Sequence, residues 1–240
     1  MTASPSRVIF PLDVPTLPEA VNLARRLAPH LAAVKIGNQL FTAAGPAAVH
    51  AMHDLGVRVF LDLKYHDIPN TVAGAIRSAV SLGVWMVNVH ASGGPAMMKA
   101  AAEAASTVPA DRRPLVIAVT VLTSLSQADI RHTLGTTRTV EEQVVHLARE
   151  TQAAGLHGVV ASPHEIAPIR QACGSDFVIV TPGVRPAAAA LNDQHRVMTP
   201  GEAIRAGADY LVVGRPIQAA ADPVEAARRI AAECQMTNTP

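Results

Sequence analysis

Eight short apolar runs, rich in β-branched residues, alternate along the chain with Ala-rich stretches of helical spacing, and this alternation limits the possible folds most sharply. The runs are RVIFPLDV, AAVKIG, VRVFLDLK, WMVNVHAS, PLVIAVTVL, GVVAS, FVIVTPG and YLVVGRPI. Each reads as a strand buried on both faces. Between them lie stretches such as PEAVNLARRLAPHL, NTVAGAIRSAVSLG, EEQVVHLARETQAAG and PVEAARRIAAEC, whose apolar residues recur at helical intervals. No hairpin signal joins the runs, so parallel pairing through helical crossovers is expected. Eight strands with about eight helices close a (β/α)₈ barrel of the α/β class. It is expected as a single domain over residues 1–240, with short frayed tails at about 1–6 and 235–240. The competing arrangement is an open doubly wound sheet, but no GxGxxG follows the first strand.

Punctuation along the chain supports the helices. Ser162-Pro-His-Glu165, Thr199-Pro-Gly-Glu202 and Asp222-Pro-Val-Glu225 each combine an N-cap, a proline at the first helical position and a glutamate two residues on. Thr139 with Glu142 repeats the capping box without proline. Gly56, Gly83, Gly155 and Gly207 stand where left-handed C-caps would end helices.

Composition excludes several classes of function. With 49% apolar residues, a large core is available; a net charge of +1 and 3% aromatics give no basic, base-stacking surface for nucleic acid. Cys173 and Cys234 are far apart and outside any CxxC, so they read as reduced, buried thiols of a cytoplasmic protein. Residues 1–6 do not read as a signal peptide, and no apolar run reaches the ~18 residues of a spanning helix. Ten histidines show no HExxH spacing; His53, His146 and His157 read as surface residues, His66 and His90 as lining a site.

In a parallel barrel, chemistry belongs to the carboxyl ends of the strands. Those ends carry Asp13, then Lys35, then Asp62 and Lys64, then Asn88 and His90, followed by Thr120, Thr123 and Ser124, and finally Arg185 and Arg215. Strand alternation puts Asp62 and Lys64 on one face, with Leu61 and Leu63 on the other. Buried ions cost several kcal/mol each unless paired, and Lys35 and Asp13 on neighbouring strands are candidate partners. A purely structural salt-bridge cluster is the alternative. The sequences Thr181-Pro-Gly-Val-Arg185 and Val213-Gly-Arg-Pro216 follow strands 7 and 8, where barrels of this type recurrently bind phosphate. Gly183 and Gly214 allow close backbone approach, and the two arginines offer bidentate donors.

These residues resemble the orotidine 5'-phosphate decarboxylase family over nearly the whole chain, from Leu12-Asp-Val14 to Gly214-Arg-Pro-Ile217. DLKYHDIPNT (62–71) is similar to the family's DxKxxD signature, and NVHASGG, AVTVLTS, TPGVRP and Asp193-Gln194 follow in family order. The resemblance implies conversion of orotidine 5'-phosphate to UMP in pyrimidine biosynthesis, without metal or cofactor. Lys64 would protonate C6, and Asp62 would lie beside the departing carboxylate. Lys35 and Asp13 would complete the charged array and contact the ribose. Thr123 or Ser124 would contact the pyrimidine, and Arg185, Gln194, Gly214 and Arg215 the phosphate, with 186–194 as a closing loop. Asp67, Ile68 and Thr71 would serve the neighbouring subunit's site, which implies a homodimer. Tyr65 stands where phenylalanine is frequent, and PAAAALND (186–193) is richer in alanine than the family's polar loop.

Two other readings share parts of this pattern. Metal-dependent sugar-phosphate decarboxylases and synthases on the same barrel share Asp-x-Lys-x-x-Asp, but not the Ile-Pro-Asn-Thr that follows it here. A catalytically inactive nucleotide-binding barrel is the other; it would normally have lost a charge from the array, which is complete here. Dialysis against EDTA is expected to leave decarboxylation unchanged; a loss restored by Mg²⁺ would favour the metal-dependent reading.

Overall fold

The computed structural model describes residues 6–186 and 198–235, and its eight parallel strands follow one another in order around a closed barrel. The strands are β1 (Val8–Pro11), β2 (Ala33–Gly37), β3 (Val59–Tyr65), β4 (Met86–His90), β5 (Leu115–Val119), β6 (Gly158–Val160), β7 (Val178–Pro182) and β8 (Tyr210–Val212). Each lies within one of the eight apolar runs except β3, which continues one residue past its run, to Tyr65. The described residues form eleven α-helices rather than about eight. The four long stretches named above form α1 (Leu17–Leu27), α4 (Pro69–Ser81), α7 (Val140–Ala153) and α11 (Pro223–Gln235). The surplus has local causes. Gly45 at φ 58° followed by Pro46 divides one crossover into α2 (Asn38–Ala44) and α3 (Pro46–Asp54), and Ser126 starts a separate α6 (Gln127–Leu134).

The chain divides into two compact units, Met1–Leu63 with Thr181–Pro240, and Lys64–Val180. In the first, β1 pairs with both β8 and β2, and β2 with the start of β3; the register sets Pro11 opposite Lys35 and Gly37 opposite Asp62. Val8, Ile9, Phe10, Leu12, Val34 and Ile36 are fully buried there, and α1 packs against α3 and α11. In the second, β4, β5, β6 and β7 pair in turn, with Asn88 opposite Ile117 and Gly158 opposite Val178. Helix α4 packs on α5 (Pro95–Ala105), and α7 on both α5 and α8 (Ile166–Cys173). Among the described residues, no helix is long and apolar enough to cross a membrane.

The capping boxes at Thr139 and Thr199 form in full, and a further one, Ser126 with Asp129, was not anticipated. Asp222 accepts from the backbone N–H groups of Val224 and Glu225. Ser162 differs. Its hydroxyl donates to the Glu165 carboxylate, residues Pro163–Glu165 form a 3₁₀ turn, and α8 begins only at Ile166.

His157 is also a correction: it is half-buried, not a surface residue. Its Nδ1 accepts from the Val116 N–H at 3.0 Å, while its own N–H donates to the Val116 carbonyl at 2.8 Å, extending the short β5–β6 ladder. Burial holds this imidazole below its ordinary pKa of 6.5, so the neutral form suits the fold. The depressed value fixes the sign of its effect on stability. Above pH 6.5 neither folded nor unfolded chain carries the proton; as pH falls below 6.5 the unfolded chain gains it first, and stability is lost. The urea midpoint is therefore expected to drop between pH 7.5 and 5.5. His157→Asn, which keeps an acceptor without titrating, is expected to show a smaller drop. Equal drops would remove His157 as a cause. Gly158 beside it is required by packing: a Cβ there would lie 2.0 Å from the Val178 carbonyl oxygen. Gly158→Ala is expected to cost about 1–3 kcal/mol or more, read from the same urea titration.

Candidate functional site

Three charged residues from successive strands meet in the first unit. Lys35 Nζ lies 3.1 Å from Asp62 Oδ2 and 3.3 Å from Asp13 Oδ1. Lys35 and Asp62 are 9% and 7% exposed, whereas Asp13, two residues past β1, stands open to solvent. The register explains the convergence. Asp62 lies opposite Gly37, which is two residues beyond Lys35 and has no side chain to cover the network. A Cβ at Gly37 would sit 3.0 Å from Lys35 Nζ and 3.3 Å from Asp13 Oδ1. Three of the four residues expected in the charged array, Asp13, Lys35 and Asp62, therefore meet as an alternating chain.

Arg185 and Arg215, also in the first unit, line one hollow of about 310 Å³ with Pro216, Ala219 and Ala220. Arg215 opens the four-residue α10 (Arg215–Gln218), just past β8. Gly214 has a packing reason as well as the expected one, since a Cβ there would meet Pro11 Cγ at 2.9 Å. Gln194 and all of loop 186–194 except Pro186 lie outside the described residues.

The second unit begins at Lys64, whose backbone departs from the alternation that the sequence suggested. Its φ is +53°, the only positive value at a non-glycine among the described residues. A left-handed residue of this kind costs of order 1–3 kcal/mol, and such strain gathers at functional sites. The Lys64 N–H donates to Asn88 Oδ1 at 2.9 Å, and Asn88 is 0% exposed on β4. Strand alternation could not reveal this turn of the backbone. The available signal was an amide side chain inside the apolar strand MVNVH, which buries without penalty only if it is hydrogen-bonded.

Past β3, Asp67 and Ile68 line an open hollow with His66, Pro69, Ser92 and Gly93. Asp67 Oδ1 accepts from the Ile68 N–H at 2.6 Å, and the carboxylate meets no cation among the described residues. Ile68 is 68% exposed, and Thr71 is exposed too. The His66 and His90 rings stand 5.5 Å apart, centre to centre. Thr123 and Ser124 are exposed in the segment after β5. Thr120 instead serves the sheet, donating to the Val160 carbonyl at 3.0 Å. Tyr65 is half-buried, and burial raises its phenol pKa above the usual value, which keeps it neutral near pH 7. No group of three or more His, Cys, Asp or Glu side chains among the described residues could hold a metal ion.

A model of the orotidine 5'-phosphate decarboxylase / HUMPS family matches residues 6–230. The chain belongs to that family. Proteins named orotidine 5'-phosphate decarboxylase from Moorella thermoacetica and Halorhodospira halophila are 58% and 55% identical to it. The matches cover 96% and 95% of this chain, and 92% and 96% of those proteins. The crystal structure of orotidine 5'-phosphate decarboxylase from Lactobacillus acidophilus superposes with a TM-score of 0.85 at 36% identity, covering 98% of this chain and 100% of that one.

Lys35 is the member of the array whose loss the fold should feel. Lys35→Met would leave Asp62 buried without its 3.1 Å partner. Breaking a buried pair in this way costs up to about 3–5 kcal/mol. A fall in urea midpoint of that size is expected, partly recovered in the Lys35→Met, Asp62→Asn double variant. With Asp62→Asn measured alone as well, losses that simply add in the double variant would show that the pair is not coupled.

Proposed function

We propose that this protein is a homodimeric cytoplasmic lyase that decarboxylates orotidine 5'-phosphate to UMP without metal or cofactor. The observation that carries the reading is the Asp13–Lys35–Asp62 chain, with Lys35 and Asp62 buried, followed two residues later by Lys64 in a strained backbone conformation. Membership of the family and the names of its relatives support the substrate.

Loss of CO₂ from C6 leaves an electron pair on a ring carbon with no conjugated sink. An enzyme without a cofactor must stabilise that charge electrostatically and then protonate it. The Lys64 ammonium answers both needs, because a fixed positive charge aimed at the developing carbanion favours the transition state. Its proton passes to C6, giving UMP, and solvent restores the ammonium. Asp62 orients Lys64 and stands near the substrate carboxylate. Lys35 bridges the two aspartates, offsetting one of their two charges, and, with Asp13, contacts the ribose hydroxyls. Thr123, with Ser124 beside it, faces the pyrimidine. Arg185, Gly214, Arg215 and Gln194 hold the phosphate, whose remote binding energy helps to order the reacting end.

The segment after β3 supports the dimer. Exposed Ile68 suits burial against a second copy, and the Asp67 carboxylate, which meets no cation among the described residues, would find its partner there, with Asp67, Ile68 and Thr71 completing the partner's site. The buried free thiols Cys173 and Cys234 suit a reducing compartment.

The direct test is turnover: the purified protein should convert orotidine 5'-phosphate to UMP with release of CO₂. Turnover of a sugar phosphate and none of the nucleotide would move the protein to the other branch of the family. Arg215→Ala is expected to weaken phosphate-dependent binding about ten- to a hundred-fold, the value of a charge-assisted contact. Orotidine without the phosphate should be almost indifferent; equal losses would make Arg215 structural. Mixing inactive Lys64→Ala and Asp67→Ala proteins should restore roughly a quarter of wild-type activity. Half of the randomly exchanged dimers are mixed, and two-fold symmetry gives each of these one intact site. No recovery, with exchange verified by native mass spectrometry, would place Asp67 in its own chain's site.

A further inference from the structure

We infer that Asn88 is a positioning residue for the reaction: its side-chain amide holds the Lys64 backbone in the left-handed conformation that aims the ammonium. The inference rests on the proposed role of Lys64.

The geometry is local and lies within one unit. Lys64 sits in β3, where an extended backbone would be ordinary, yet its φ is +53°. Lysine has no intrinsic liking for that region; it bears the Cβ that makes left-handed backbone unfavourable. Something outside the residue must select the conformation. Asn88 Oδ1 accepts the Lys64 N–H at 2.9 Å. The acceptor is itself well anchored. Asn88 is fully buried on β4, opposite Ile117 of β5, between the buried valines 87 and 89. A carbonyl oxygen fixed this firmly sets the direction of the N–H it accepts, and with it the φ of Lys64. Rotation of φ back to the extended range would swing the N–H off the acceptor and redirect the side chain. Asn88 has no part in the chemistry. It acts through Lys64, and misplacement of a reacting group by about 1 Å can cost a hundred-fold in rate.

Two variants separate positioning from packing. Asn88→Leu keeps the branched outline and removes the acceptor; Asn88→Asp keeps an oxygen at the same reach. Turnover of orotidine 5'-phosphate and the Kd for UMP are measured for both, with thermal unfolding as a check on the fold. The expectation is a ten- to hundred-fold lower kcat for Asn88→Leu, with a UMP Kd within about threefold of wild type. In Asn88→Asp, most of the lost kcat should return. A kcat for Asn88→Leu within twofold of wild type would overturn the inference, as would losses of kcat and UMP affinity in equal proportion. If Asn88→Leu does not fold, Asn88→Asp decides alone: near-wild-type kcat supports the acceptor role, and a ten-fold or greater loss removes it. An unmodified protein that does not turn over the nucleotide would overturn the functional reading itself, which is a different outcome from an active protein indifferent to Asn88.

Discussion

The pairing of Lys35 with Asp62 sets opposite charges 3.1 Å apart in a place that water scarcely reaches. Neither charge is tolerable alone at that depth. Their coexistence requires β2 and β3 to lie in the observed register, which brings Lys35 and Asp62 within reach of each other across bare Gly37. A one-residue slip would turn one of the two to the opposite face of its strand and strand both charges. The parallel ladder, the fully buried strand residues on either side and the glycine at 37 are therefore bound to one electrostatic constraint. Asp13 joins from the solvent side at 3.3 Å, so the network ends in a carboxylate that a ligand can reach.

Strain at Lys64 extends the same theme along β3. Two residues beyond the buried Asp62, the chain accepts an unfavourable φ and meets its cost with a hydrogen bond donated to the Oδ1 of the fully buried Asn88. A site assembled before substrate arrives needs little reorganisation when charge develops, and fixed charges then act at full strength. Remote groups have a different task. Arg185 and Arg215 line a hollow suited to an anion, and they belong to segments that follow β7 and β8.

Much of this was legible from sequence because burial on both faces leaves an apolar strand with few polar positions. Any charge at a strand end is then conspicuous, and Asp13, Lys35, Asp62 and Lys64 stand out on that ground alone. Helix starts at Thr139 and Thr199 were legible because an N-cap oxygen and a glutamate three residues on satisfy each other locally. Non-local features were not. The backbone of Lys64 depends on an acceptor 24 residues away. His157 looked like a surface residue until the Val116 N–H, supplied by the neighbouring strand, was seen to need it. Ser162 carried the capping pattern, but its hydroxyl satisfies the Glu165 carboxylate instead of a backbone N–H. Helix number was undercounted because Gly45-Pro46 breaks a helical stretch that periodicity reads as one.

The proposed role of Lys64, to meet the developing charge, is tested most directly by replacing it with alanine. Steady-state turnover of orotidine 5'-phosphate and equilibrium binding of UMP are measured on the same folded Lys64→Ala protein. Turnover is expected to disappear while UMP still binds, because the product carries no carbanion for the ammonium to stabilise. A kcat near that of the unmodified protein would contradict that role.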